Sequence, residues 1–131
     1  MKLVDTDIAI DHFHGHQAAL DFLSEALAEG EVLAISIVTL TELMAGMRPN
    51  EEERTEKLLR LFTLLHVDEA TGRKAGEYLR QFGRSHHLEL GDALIAASAY
   101  LSGAELITRN TKHYPMPDIR VTSPYVRGQA G

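Results

Sequence analysis

Leu3-Val4-Asp5-Thr6-Asp7 lies near the N-terminus and joins a short apolar run to three polar residues. This pattern is typical of a buried strand that ends at its carboxyl edge. Apolar residues then recur at helical spacing from Ala18 to Ala28, and Gly30 predicts the end of that helix. A strand followed directly by helical sequence favours an α/β architecture.

The rest of the chain repeats this alternation. A β-branched run predicts a second strand over residues 32–37, and shorter apolar runs predict strands at 65–67, 106–108 and 119–121. Helical patterns fill the intervals, at residues 40–47, 51–65, 69–86 and 92–101. Alternation of this kind predicts a mostly parallel sheet that is covered by helices on both faces.

Length and composition limit the class of protein. A chain of 131 residues with 44% hydrophobic and 24% charged residues has enough apolar material for one globular domain. We expect residues 1–123 to form that domain and residues 124–131 to form a loosely held tail. Cysteine is absent, which excludes disulfides, thiolate metal sites and cysteine nucleophiles and fits a reducing cytoplasm. No apolar run approaches the ~20 residues that span a bilayer, so we expect a soluble, cytoplasmic protein.

The charge balance narrows the choice of ligands. Thirteen basic and nineteen acidic residues give a formal net charge of −6, which argues against nucleic-acid binding through bulk positive charge. Residues 54–84 are relatively basic, with seven basic and four acidic side chains. The spacing of opposite charges there is that of a solvated helix face.

Acidic residues follow the predicted strands. Asp5 and Asp7 follow the first strand, Glu42 follows the second, and Asp92 begins a helix that leads into the fourth. Parallel sheets bind ligands at the carboxyl ends of their strands. Carboxylates that converge there repel one another unless a cation lies among them, and Mg²⁺ or Mn²⁺ is the natural partner of oxygen ligands.

Most of these acids also have a purely structural interpretation. Asp7 and Asp92 could each be the N-cap of the helix that follows. Thr39 and Glu42 have the spacing of a capping box, in which the Glu42 carboxylate would accept from the Thr39 amide. Asp5 has no obvious structural role.

Four motifs occur in an order that resembles the PIN domain, and more narrowly the VapC-type toxins of toxin–antitoxin pairs. The resemblance covers about residues 3–123. The motifs are Leu3-Val4-Asp5-Thr6-Asp7-Ile8, then Ile37-Val38-Thr39-Leu40-Thr41-Glu42-Leu43 with Gly46, then Gly91-Asp92-Ala93-Leu94-Ile95-Ala96-Ala97, then Thr108-Arg109-Asn110-Thr111-Lys112-His113-Tyr114.

The resemblance implies a three-layer α/β/α sandwich and a Mg²⁺- or Mn²⁺-dependent endoribonuclease that inhibits translation and growth. Such toxins are usually homodimers, and a small cognate antitoxin silences them. By position, Asp5, Glu42 and Asp92 match the catalytic, metal-binding acids of the family. The fourth acidic position of the family falls on Asn110, which puts binding of a second ion in doubt.

Other positions of the motifs imply contacts with substrate. By the same resemblance, the hydroxyl groups of Thr6 and Thr108 line the site. Arg109 and Lys112 lie in the same motif as Asn110, and we expect all three residues to contact the RNA substrate.

Three rival interpretations remain open at this stage. Asp5-Thr6-Asp7 also resembles the nucleophile motif of haloacid-dehalogenase-type phosphatases, although Ala96 stands where a second later acid is needed. A receiver-like signalling module would need a phosphorylatable aspartate after a middle strand, for which Asp68 is a poor candidate. A PIN scaffold that binds RNA without cutting it is the third.

Overall fold

The computed structural model describes residues 1–125, in which strands and helices alternate as expected. The five strands are β1 (Lys2–Val4), β2 (Leu33–Ser36), β3 (Thr63–Leu65), β4 (Glu105–Ile107) and β5 (Val121–Thr122). The six α-helices are α1 (Thr6–Phe13), α2 (Gln17–Ala28), α3 (Ile37–Gly46), α4 (Glu52–Leu59), α5 (Glu69–Phe82) and α6 (Leu90–Ser102). Short 3₁₀ turns form at Pro49–Glu51 and Thr111–His113.

The strands form one sheet in the order β3-β2-β1-β4-β5, and every neighbouring pair is parallel. The register places Leu3 beside Ala34 on one side and Leu106 on the other. The chain therefore adds β2 and β3 on one side of β1 and then crosses back to add β4 and β5 on the other side. This confirms the predicted parallel sheet.

The sheet separates two apolar cores because successive side chains of a strand point to opposite faces. Leu3 packs in a cluster with residues of α5 and α6, whereas Val4 packs in a second cluster with residues of α1, α2, α3 and α4. Leu106 and Ile107 of β4 divide in the same way. Helices thus cover both faces, and the three-layer sandwich is confirmed.

Several predicted boundaries were wrong. The helix predicted over residues 51–65 ends at Leu59, and β3 begins at Thr63. Leu64 lies beside Ile35 of β2. Pairing with the sheet therefore overrides the helical spacing of the leucines near the end of the predicted helix. The helix predicted over 69–86 ends at Phe82, and the helices predicted to begin at residues 40 and 92 begin at Ile37 and Leu90.

The segment after β5 was predicted to be a loosely held tail. Pro124 and Tyr125 are partly buried, and the Tyr125 hydroxyl donates to Asp11 Oδ2 of α1 at 3.0 Å. Residues 126–131, the rest of that predicted tail, lie outside the described residues. No helix within residues 1–125 is long and apolar enough to cross a bilayer.

Candidate active site

The candidate site lies where the direction of sheet building reverses. β1 is flanked by β2 and β4, and the chain continues from β1 to one side before it crosses to β4 on the other. A crevice opens at such a switch point beyond the carboxyl ends of the strands. Asp5 directly follows β1 and Thr108 directly follows β4, so both residues stand at this crevice.

Asp5 is the most connected residue of the site. Its Oδ1 accepts from the Thr6 amide at 2.8 Å, which makes Asp5 the N-cap of α1. Its Oδ2 accepts from the Thr108 hydroxyl at 2.8 Å and from the Tyr114 hydroxyl at 3.0 Å. The prediction that Asp7 caps this helix was therefore wrong, and Asp5, which seemed to lack a structural role, has one.

Burial makes the charge of Asp5 costly. The side chain is only 7% exposed, and desolvation together with the nearby charge of Asp7 raises its pKa from 3.8 to about 6. The hydrogen bonds from Thr108, Thr6 and Tyr114 oppose that rise because they stabilise the carboxylate. Burial and repulsion outweigh the hydrogen bonds, so a positive charge beside Asp5 would stabilise its carboxylate.

Glu42 reaches the same site from α3. The Thr6 hydroxyl donates to Glu42 Oε1 at 2.9 Å and lies 2.9 Å from the Thr39 hydroxyl, which must then act as the donor to Thr6. Thr6 thus links Asp5, through its amide, to Glu42, through its hydroxyl. The N-cap of α3 is Ser36, whose Oγ accepts from the Val38 amide, so the predicted capping box of Thr39 and Glu42 is absent.

Asp92 approaches from the first turn of α6. Its Oδ1 lies 3.4 Å from the Tyr114 hydroxyl, and its Oδ2 accepts a long hydrogen bond of 3.4 Å from the Glu89 amide. Asp92 is the third residue of α6 and Glu89 is the N-cap. Asp92 therefore contributes to the helix start, but it is not the cap residue that its position after Gly91 suggested.

Asp7 lies beside this group, in the first turn of α1. Its Oδ2 accepts from the Arg109 amide at 3.0 Å and lies 3.4 Å from the Thr108 hydroxyl. Its Oδ1 is buried and has no hydrogen-bond partner among the described residues. Burial raises the pKa of Asp7, so this unpaired oxygen is a place where a proton or a cation would be stabilised.

Arg109 is committed to protein carboxylates. Its Nε lies 2.9 Å from Oδ2 of Asp11, which is 1% exposed, and 3.9 Å from Oδ2 of Asp7. Asn110 and Lys112, also predicted to contact substrate, are exposed on the following turn. The Asn110 amide donates to the Thr108 hydroxyl at 3.0 Å, which anchors that turn to the site.

The donor set suits a hard divalent cation, but the side chains do not form a ready-made cage. Within residues 1–125, no basic side chain forms an ion pair with Asp5, Glu42 or Asp92. Among those same residues, no three acidic or histidine side chains come together as a ligand group. Hydroxyl groups stand between the carboxylates instead. An ion here would take one or two carboxylates directly and keep several waters, which is how Mg²⁺ usually binds.

An apolar cleft of about 130 Å³ opens next to Glu42, between α1, α3 and α4. Phe13 and Leu43 contribute to its walls, and Glu42 and Glu51 supply acidic groups at its margin. The cleft is a place where a planar or apolar group could lie close to the acids.

Two rival interpretations lose their structural support. Asp68 caps α5, where its Oδ1 accepts from the Thr71 amide at 3.0 Å and from the Thr71 hydroxyl at 2.9 Å. The strand order also differs from the 2-1-3-4-5 order of receiver domains. Ala96, where a phosphatase of the haloacid-dehalogenase type needs an acid, is fully buried in the core.

Tyr114 is the residue of the site that sequence reasoning missed. It belongs to the last of the four motifs, but nothing in the surrounding sequence indicates that its hydroxyl contacts the acids. Its hydroxyl reaches Asp5 and Asp92 only because the Thr111–His113 turn brings the chain back over the site.

The geometry defines an acidic site at the switch point of a parallel α/β/α sandwich, and a family comparison agrees with it. The family model described as PIN domain matches residues 2–118. The chain therefore belongs to the PIN-domain family.

Comparison with individual proteins narrows the relationship to one branch of that family. The chain is similar to two ribonucleases of Mycobacterium tuberculosis. It is 43% identical to Ribonuclease VapC10 over 117 residues, which cover 88% of this chain and 87% of that protein. It is 38% identical to Ribonuclease VapC19 over 122 residues, which cover 92% and 98%. It also resembles a chain of a toxin–antitoxin complex from Klebsiella pneumoniae, with 33% identity, a TM-score of 0.78 and coverage of 96% and 99%.

Proposed function

We propose that this protein is a Mg²⁺- or Mn²⁺-dependent endoribonuclease, the toxin of a toxin–antitoxin pair, and that it inhibits translation and growth. The observation that carries the proposal is that Thr6 links Asp5 to Glu42 and that the Tyr114 hydroxyl lies between Asp5 and Asp92. Among the described residues, no basic side chain forms an ion pair with these three acids. The names of the relatives that cover nearly the whole chain, Ribonuclease VapC10 and Ribonuclease VapC19, support the reaction.

The residues of the chain would divide the work as follows. Asp5, Glu42 and Asp92 would hold the divalent cation, directly or through its bound waters, with Asp5 the most firmly positioned because three hydrogen bonds fix its carboxylate. When bound, the cation lowers the pKa of water and offsets charge on phosphoryl oxygens. No side chain is then needed as a nucleophile. Thr6 and Thr108 hold Glu42 and Asp5 in place rather than facing substrate with free hydroxyls.

The substrate-binding surface would lie around the rim of the site. Lys112 and Asn110 are exposed beside it and are free to approach an RNA backbone. Arg109 would act mainly by holding the loop, because its Nε lies 2.9 Å from Asp11 Oδ2 and 3.9 Å from Asp7 Oδ2.

The partner would be a small antitoxin, as in the toxin–antitoxin complex of similar fold. Its simplest mode of inhibition is to place a basic side chain among Asp5, Glu42 and Asp92, where it would replace the charge of the cation. A structure of the complex tests this directly. An antitoxin that stays away from all three carboxylates would contradict it.

We also propose that the protein is a homodimer. Analytical ultracentrifugation of the purified chain tests this, since a dimer sediments with twice the mass of the 131-residue chain.

The decisive experiment is expression of the protein alone, with and without Asp5→Asn, followed by sequencing of the 5′ ends of cellular RNA. We expect discrete new ends and growth arrest with the wild-type protein, and neither with the variant. Glu42→Gln and Asp92→Asn should behave in the same way. A variant that keeps more than about a tenth of wild-type cleavage at saturating Mn²⁺ would remove its residue from the catalytic set.

A PIN scaffold that binds RNA without cutting it predicts a different result. Growth arrest would then persist in the Asp5→Asn variant, and no new 5′ ends would form with either protein.

A further inference from the structure

Tyr114 connects two of the candidate catalytic acids. The side chain is 4% exposed, and its ring packs in the apolar cluster between the sheet and α5 and α6. Its hydroxyl donates to Asp5 Oδ2 at 3.0 Å and lies 3.4 Å from Asp92 Oδ1. One buried hydroxyl therefore stands between a carboxylate at the end of β1 and another in the first turn of α6.

The other contacts of these acids do not duplicate this link. Thr6 and Thr108 hold Asp5 to α1 and to the end of β4, but neither residue reaches Asp92. Within residues 1–125, the other hydrogen bond of the Asp92 side chain comes from the Glu89 amide, at the start of the same helix. Among the described residues, Tyr114 alone places one hydroxyl beside both carboxylates: its single proton is donated to Asp5 Oδ2, and Asp92 Oδ1 lies 3.4 Å from the same oxygen.

We propose that Tyr114 is a positioning residue whose hydroxyl sets the spacing between Asp5 and Asp92 and thereby the affinity of the site for its divalent cation. This inference rests on the proposed function. A hydroxyl can keep its hydrogen bond to a carboxylate whose free lone pairs face a metal ion. Groups that orient metal ligands in this way commonly change metal affinity by 10- to 100-fold when they are lost.

Tyr114→Phe isolates the hydroxyl because it keeps the ring that packs in the core. The full chain, freed of metal with EDTA and dialysed, is titrated with Mn²⁺ by calorimetry, and free Mn²⁺ is followed in parallel by electron paramagnetic resonance. We expect the Kd for Mn²⁺ to rise at least tenfold in the variant. In a cleavage assay, the Mn²⁺ concentration for half-maximal rate should rise by a similar factor, while the rate at saturating Mn²⁺ stays within about threefold of wild type.

The chain supplies a matched control in Tyr78. This tyrosine is 2% exposed, belongs to the same apolar cluster, and donates from its hydroxyl to Asp118 Oδ1 at 2.7 Å, away from the candidate site. Tyr78→Phe removes an equivalent hydrogen bond. It should lower the melting temperature about as much as Tyr114→Phe but leave the Kd for Mn²⁺ within twofold of wild type.

A double-mutant cycle separates positioning from general loosening. If Tyr114 acts by setting the distance between two carboxylates, Tyr114→Phe should change the Kd less in an Asp92→Asn background than in the wild-type background. If Tyr114→Phe raises the Kd for Mn²⁺ by the same factor in both backgrounds, the inference is overturned.

The possible outcomes distinguish this inference from the proposed function. A Kd for Mn²⁺ that is unchanged or lower in Tyr114→Phe overturns the positioning role and leaves the proposed nuclease intact. A wild-type protein that binds no Mn²⁺ overturns both the metal dependence and the role of Tyr114. If Tyr114→Phe fails to fold, the comparison moves to Tyr114→Met, which also removes the hydroxyl and keeps an apolar side chain in the cluster, and an unchanged Kd in that variant would likewise overturn the positioning role.

Discussion

At the scale of single residues, Asp5 has a structural role and is also a candidate metal ligand. It caps α1 and receives hydrogen bonds from Thr6, Thr108 and Tyr114, yet burial and the charge of Asp7 hold its pKa at about 6. The charged form is therefore surrounded by donors and is still destabilised. A residue that is this well connected and this costly is typical of a site where stability is given up for function.

The raised pKa predicts how the stability of the metal-free protein depends on pH. The folded protein binds the Asp5 proton more tightly than the unfolded chain does, since the pKa falls from about 6 to its ordinary 3.8 on unfolding. Asp5 therefore lowers the free energy of unfolding as pH rises from about 4 to about 6, by about 3 kcal/mol in total. Urea denaturation in EDTA at several pH values measures this.

Asp5→Asn is the comparison that isolates the effect from the other titrating groups. The free energy of unfolding of the variant minus that of wild type should increase with pH between about 4 and 6 and be constant above pH 7. A difference that does not vary with pH across this window would show that Asp5 titrates as an ordinary carboxyl group.

At the scale of the elements, the first turn of α6 serves both the helix and the site. Asp92 accepts from the Glu89 amide, as expected at a helix start, and also lies beside the Tyr114 hydroxyl. These two roles predict different responses to metal, because a helix start is indifferent to Mn²⁺ and a metal ligand is not.

Asp92→Asn separates the two roles through four melting curves, of wild type and variant with EDTA or with Mn²⁺. If Asp92 is a ligand, removing its charge relieves repulsion with Asp5 and Glu42, so the variant should be at least as stable as wild type in EDTA. It should also lose most of the Mn²⁺-induced rise in melting temperature, which follows RT ln(1 + [L]/Kd). A merely structural Asp92 predicts a loss of ~0.3 to 1 kcal/mol in EDTA and an undiminished Mn²⁺ shift.

The end of α6 makes a second prediction at this scale. Gly103 ends the helix with φ +70° and turns the chain directly into β4. A side chain is disfavoured in this left-handed conformation, so Gly103→Ala should lower the free energy of unfolding by about 1 to 2 kcal/mol. Thermal or urea unfolding measures the change.

Gly76 provides the control for that substitution. It lies inside α5, and a Cβ built there would meet nothing within 4 Å. Gly76→Ala should therefore raise the free energy of unfolding by about 0.5 to 1 kcal/mol, because alanine is the better helix former. Changes of the same sign at both positions would contradict the assignment of the two backbone conformations.

At the scale of the whole molecule, the buried charges join segments that are remote in sequence. Arg109, after β4, lies 2.9 Å from Asp11 of α1, and Tyr125, after β5, donates to the same carboxylate. Three parts of the chain thus meet at one buried acid beside the candidate site. This network places the Nε of Arg109 beside Asp11, and the expected contact of Arg109 with RNA stays a prediction.

We therefore expect Arg109→Ala to lower the stability of the fold, and to affect RNA cleavage mainly through that loss. The substitution removes the 2.9 Å contact between the guanidinium and the buried Asp11 carboxylate, and we expect the free energy of unfolding to fall by roughly 1.5 to 3 kcal/mol. Lys112→Ala, an exposed change in the same loop, should stay within about 0.5 kcal/mol of wild type. If Arg109→Ala weakens RNA cleavage and leaves unfolding unchanged, its main role is substrate binding.

The alternation of apolar runs with helical spacing predicted the class of fold, and the structure confirms it. The assignment of Asp5, Glu42 and Asp92 to a catalytic site stays a prediction. The parallel sheet and its two helix layers follow from apolar runs that alternate with helical spacing, whereas the order of the strands was not predicted. Parallel strands bring their carboxyl ends to one edge, which is why Asp5, Glu42 and Asp92 were expected near one another. The resemblance to the PIN domain rests on four motifs of the sequence, and these motifs include all three acids.

Only the tertiary structure decided which groups connect those acids. Tyr114 and Thr39 belong to the family motifs, but no local pattern gives their contacts in the site or the pairing of Asp11 with Arg109, since each contact joins residues from different elements. The cap residues also differ from the expected ones: Asp5 rather than Asp7 caps α1, and Ser36 rather than Thr39 caps α3. The position of a cap depends on where the preceding strand ends. Sequence patterns report burial and periodicity, whereas a hydrogen bond between distant segments depends on the distances that packing alone sets.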